Sequence, residues 1–141
     1  MSPRLVSILT LGVKDLSRSS KFYESLGYQR SVKSDERIVW FATGGTVLAL
    51  YPWNELADDA SINPEGSGFR GVTMAINLKS EKEVDRFIEK VRMIGGKIIK
   101  EPQKALWGGY SSYFQDPDGH LWEVAYNPFS PVDSDGKLSL E

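Results

Sequence analysis

Apolar residues recur at alternate positions through "RLVSILTLGV" (residues 4 to 13), the period of a strand with one covered face. The pattern then changes. Asp15 stands before "LSRSSKFYESLG", where Leu16, Phe22, Tyr23 and Leu26 fall at helical spacing, so a helix is expected with Asp15 as its cap and Gly27 closing its end. Three short strands are expected next, "YQRSVKS", "RIVWFA" and "TVLALYPW", with Gly44 and Gly45 turning the hairpin between the last two. From "NELADDASINPEGSGFR" (residues 54 to 70) the composition becomes polar and rich in Gly, Pro, Asp and Asn, which reads as a linker or mobile loop with solvated acids.

The same order then returns. "GVTMAINL" reads as a strand, Ser80 as the cap of "EKEVDRFIEKVRMIGG", and "KIIKEP", "GGYSSYFQ" and "GHLWEVAY" as three more strands, before a surface tail over residues 128 to 141. Landmarks of the halves line up: "SLGY" with "MIGG", "WFATGG" with "YFQDPDG", and "VLALY" with "WEVAY". The chain is therefore expected to be α+β, a single domain of two βαβββ modules, residues 4–53 and 71–127, joined by the 54–70 segment. Two such curled mixed sheets side by side would form a cup with helices outside. Superposing the hairpins on those landmarks sets Leu48 on Glu123, and superposing the first strands sets Ile8 on Val72.

Composition narrows the chemistry. The 141 residues, 40% hydrophobic, suffice for one core, and the lack of cysteine excludes disulfides, thiolate catalysis and cysteine-ligated metals. A net charge of −2 with scattered lysines and arginines argues against nucleic acid or an anionic membrane as partner. "MSPRLVSILTLGV" lacks the signature of a signal peptide, and no segment approaches the ~20 apolar residues of a membrane span, so the expected location is the cytoplasm. His120 is the only histidine, so two histidines and a carboxylate cannot meet within one subunit.

The doubled module, the "LGVKDLSRSSKFYESLG" opening and the "WGGYSSYFQDPDGHLWEVAYNP" ending resemble the vicinal oxygen chelate superfamily, which contains glyoxalase I, the bleomycin resistance proteins and the extradiol dioxygenases. The resemblance covers residues 4 to 128. It implies inward-facing metal ligands near the start of each module's first strand and on its last strand. Carried over, those positions are Ile8, Leu48, Val72 and Glu123, of which only Glu123 is able to bind a metal, against the three protein ligands of a usual catalytic zinc site. No metal site and no cofactor are predicted on this basis, a divalent metal held at Glu123 being the alternative. His120, three residues before Glu123, points to the opposite face and is expected to close the turn.

Alternation about Glu123 places Leu121 and Ala125 in the cup with it, and Trp122, Val124 and Tyr126 on the helix side. By the repeat, Ile8, Thr10, Leu48, Leu50, Val72, Met74 and Ile76 are expected inside, joined by Trp40, Ser111, Tyr113 and Trp107. The ligand-binding set is thus Ile8, Thr10, Trp40, Leu48, Val72, Met74, Trp107, Ser111 and Tyr113, with Glu123 as candidate general base, since a carboxylate in an apolar pocket tends to hold its proton more tightly. "WGGY" lacks the spacing of a phosphate loop; its glycines let the backbone curl, or let a ligand approach closely with Trp107 as flap.

Two function classes stay open. One is a binder of a small, partly apolar organic molecule, resembling the bleomycin resistance branch. The other is a lyase, isomerase or dioxygenase that uses Glu123 as metal ligand or general base, although the missing donors argue against a glyoxalase I reaction. The resemblance also implies a homodimer.

Overall fold

The computed structural model describes residues 3–140; Met1, Ser2 and Glu141, the extremes of the expected domain and tail, lie outside the described residues. The chain divides between Gly68 and Phe69 into two compact units.

In the first unit, β1 (Ile8–Val13), β2 (Val39–Phe41) and β3 (Val47–Pro52) form a sheet in the order β1-β3-β2, with β1 parallel and β2 antiparallel to β3. Helix α1 (Leu16–Ser25) follows β1. Its start is fixed as the sequence suggests: the Asp15 carboxylate accepts the Arg18 N–H at 3.0 Å. Tyr23 of α1 meets Phe41 at 6.1 Å between ring centroids, and Phe41 is the register partner of Leu48. Leu48 and Leu50 are therefore turned toward α1, and both are buried.

Two expectations fail in this unit. Residues 28–34 do not form a strand; a single bridge, Arg30 to Phe41, stands where it would pair. The segment "SVKSDER" offers no apolar face, Val32 is wholly exposed, and Asp35 bonds the N–H groups of Arg37 and Ile38 at 2.8 and 3.0 Å, a local turn that displaces the ladder. The second correction lies in the segment read as a loop. Trp53–Asp59 is helix α2, started by Pro52 and carried by Glu55, Leu56 and Ala57. It sits over Gly12, whose missing side chain leaves room for Trp53 and Leu56, and the Trp53 indole N–H reaches the Pro64 carbonyl at 3.0 Å.

The second unit has the full βαβββ order: β4 (Thr73–Leu78), α3 (Glu81–Met93), β5 (Lys97–Lys104), β6 (Tyr110–Gln115) and β7 (Leu121–Tyr126). The sheet runs β4-β7-β6-β5, with β4 parallel to β7 and the other pairs antiparallel. Ser80 caps α3 by accepting the Glu83 N–H at 3.1 Å, while the Glu83 carboxylate accepts the Lys79 N–H at 2.7 Å. Val84, Ile88 and Val91 of α3 are buried. Phe87 meets Phe114, which lies parallel to the Trp122 indole at 6.2 Å. Arg92 to Glu101 and Lys104 to Glu81 add ion pairs between α3 and β5; being exposed, they contribute little.

Among the described residues no helix is long and apolar enough to cross a membrane. Because Phe114 is fully buried between Phe87 and Trp122, Phe114→Ala is expected to cost about 3–5 kcal/mol. Tyr113→Phe, one residue along on the opposite face, should cost under about 1.5 kcal/mol. Urea denaturation of the two variants checks the contrast, and equal losses would contradict the face assignment.

Candidate functional site

Each sheet has one face against its helix and one turned away, and register decides which residues share a face. In the second unit Trp122 and Phe114 mark the helix side. Glu123 therefore stands on the opposite face, between Tyr113 of β6 and Ala75 of β4. Thr73, Asn77, Leu121, Ala125, Ser111 and Gln115 share that face by the same pairings. Lys100 of β5 is the register partner of Tyr113, so one row runs Lys100, Tyr113, Glu123, Ala75 across four strands.

Glu123 is half-buried and faces the Tyr113 phenol, its register partner, across the β6–β7 pair. Burial, followed by the negative charge of Glu123, raises the Tyr113 pKa above the ordinary phenol value. The phenol thus keeps its proton through the neutral range and remains a donor.

In the first unit Ile8, Thr10 and Gly12 face away from α1, together with Val47, Ala49, Tyr51 and Trp40. This face is largely apolar, and α2 covers its Gly12 end. The second unit's face is mainly hydroxyl, amide and carboxylate, more polar than the aliphatic and aromatic lining expected for both halves.

Several expected lining residues change place. Leu48 and Leu50 face α1, and Met74 and Ile76 share the α3 side with their partners Trp122 and Val124. Val72 precedes β4 and is exposed. The cause is a one-residue slip between the halves. "VLALY" and "WEVAY" match on their tyrosines, yet Tyr51 pairs with Gly12 on the face away from α1, whereas Tyr126 lies on the Trp122 side. Phe41 and Phe114 are the true equivalents, and the loop from Phe114 to Trp122 is one residue longer than that from Phe41 to Leu48. Ala49, which the sequence reading missed, thus corresponds to Glu123, and Thr73 corresponds to Ile8. The aromatic pair in "WF" and "YF" was the signal for this register.

Trp107 lies in the turn between β5 and β6, away from the row of Glu123 in sequence and half exposed, with its ring folded onto Gly109. Phe129, not singled out from the sequence, rests on Gly108, whose φ of +98° also favours glycine. The two glycines thus admit the chain's own aromatic rings. His120 closes the "DPDGH" turn: its N–H donates to the Asp116 carboxylate at 2.9 Å and its carbonyl accepts the Asp116 N–H at 3.0 Å.

The register also tests the metal site that the resemblance implies. The equivalent positions are Ile8 and Ala49 in the first unit, a hydrocarbon and a methyl group, and Thr73 and Glu123 in the second, a hydroxyl and one carboxylate. Only Glu123 among them is a strong donor, which does not fit the three protein ligands that a catalytic divalent ion usually needs.

The family model described as Glyoxalase/Bleomycin resistance protein/Dioxygenase superfamily matches residues 5–124. A glyoxalase-related enzyme from Fulvimarina pelagi superposes with a TM-score of 0.88 at 32% identity, over 98% of this chain and 99% of that one. Metallothiol transferase FosB of Shouchella clausii is 27% identical over 84% of this chain and 77% of its own length. Fosfomycin resistance protein FosX of Listeria monocytogenes is 28% identical over 84% of this chain and 86% of its own. With a family match over most of its length and the fold to accompany it, the chain belongs to the Glyoxalase/Bleomycin resistance protein/Dioxygenase superfamily.

Proposed function

We propose that this chain is a member of the superfamily with a degenerate metal site, which binds a small, partly apolar organic molecule on the face of the second unit's sheet turned away from α3. The observation that carries the reading is that Ile8 and Ala49 in the first unit and Thr73 in the second offer no strong donor, so that Glu123 alone among these positions is a carboxylate. In the second unit the face combines the hydrogen-bonding groups of Glu123, Tyr113 and Ser111 with the apolar Leu121, Ala125 and Ala75, which suits a partly apolar ligand with polar groups. The metal-dependent chemistry suggested by the name of the FosB relative is not carried over, because those donors are missing here.

Titration with nickel, manganese, iron(II) and zinc, followed by calorimetry, is expected to show no tight stoichiometric site. A tight site that Glu123→Gln abolishes would overturn the reading.

The placement of Tyr113 directly opposite Glu123 favours a second reading, an enzyme in which Glu123 is a general base and Tyr113 its positioning partner. In that case Glu123→Gln, with fold intact, should lower turnover by about 10²–10⁴-fold. Burial is the main cause of the raised Tyr113 pKa and the Glu123 charge the second, so removing that charge should let an ultraviolet titration find the phenol ionising at somewhat lower pH than in the parent. Full activity in Glu123→Gln would eliminate the enzyme reading.

The proposal includes a cytoplasmic homodimer, because β1 and β4 leave sheet edges with exposed apolar neighbours such as Val6 and Val72. Sedimentation equilibrium should return twice the 15.8 kDa chain mass, and a monomer at all concentrations would refute it.

A further inference from the structure

Glu123 carries the only acidic side chain in its row, and among the described residues no lysine, arginine or histidine forms an ion pair with it. Lys100 is attached two strands away, beyond Tyr113, roughly 10 Å across the sheet, and is exposed. Across β6 the carboxylate faces the neutral Tyr113 phenol. A carboxylate has about four acceptor sites, and these are available to another group.

Half-burial makes an uncompensated charge costly, and a positive group placed beside it regains that cost as a charge-assisted hydrogen bond. Ala75, on the other side of Glu123, projects only a methyl group and so leaves the carboxylate open toward β4. Nearby side chains on the face, Ser111, Asn77 and Gln115, are uncharged and do not repel a cation.

We propose that Glu123, between Tyr113 and the small Ala75, anchors a cationic nitrogen of the ligand, so that the molecule recognised on this face carries a protonated amine or amidine next to its apolar part. The proposal rests on the metal-free binding reading and specifies its ligand class. Where metal-bearing members would neutralise this carboxylate with an ion, here the ligand's own charge does so. Lys97 and Lys100, at the β5 border, disfavour a second cation further out and so limit the ligand to a compact one.

Three probes of one shape separate the outcomes: benzamidine (cationic), benzamide (neutral) and benzoate (anionic), each titrated into the ¹⁵N-labelled protein. Benzamidine is expected to shift the amides of residues 111–113 and 121–125 and to bind about tenfold tighter than benzamide, with benzoate weakest. Glu123→Gln, which preserves shape and the Tyr113 contact, should erase the preference while leaving the rest of the spectrum unchanged; Lys100→Ala should keep it. If benzamide binds there but benzamidine gains nothing, or if the preference survives Glu123→Gln, the cation anchor is wrong and the binding reading stands. If none of the three shifts these residues, both fall.

Discussion

The stack of Phe114 on Trp122, with Phe87 of α3 behind it, pins the second sheet to its helix. A strand's side chains alternate with period two, so anchoring Trp122 inward forces Glu123 outward. Everything proposed for Glu123 depends on this parity. Phe41, seated against Tyr23, plays the same part in the first unit and turns Leu48 inward and Ala49 outward. The bulky aromatics are thus the reference from which both outer faces are read, and moving β7 by one residue would bury a carboxylate and expose an indole.

The two outer faces have diverged in chemistry although their frames correspond. In the first unit the row is Trp40, Ala49, Thr10; in the second it is Lys100, Tyr113, Glu123, Ala75. Ile8, Ala49 and Thr73 offer no strong metal donor at the positions the resemblance implies, and the Glu123 carboxylate faces the Tyr113 phenol across the β6–β7 pair. Such a group keeps two capacities, accepting a hydrogen bond and accepting a proton, and these define the binding and catalytic readings.

Much of the frame was legible because it is local. Asp15 and Ser80 stand at the two helix starts where their side chains can take an orphan N–H, and the strands around "VWF", "VLALYP" and "LWEVAY" carry the expected apolar residues. Helix α2 was obscured by the Gly- and Pro-rich residues after it, although "WNELADD" by itself contains good helix formers. The absent strand at 28–34 shows the reverse case, in which alternation alone lost to the turn built by Asp35. Faces were legible only relative to a register. Two tyrosines at matching places suggested one, whereas the packing of Phe41 and Phe114, a tertiary fact, sets another.

The most direct test of the account is a nuclear Overhauser spectrum of the protein with assigned aromatic side chains. It should contain cross-peaks from the Trp122 indole to the rings of Phe114 and, through that stack, to the Phe87 neighbourhood, together with cross-peaks from the Tyr113 ring to the Glu123 side chain. Cross-peaks joining Glu123 to Phe114, or Trp122 to Tyr113, would invert the faces and remove the physical basis for any role of Glu123 in binding.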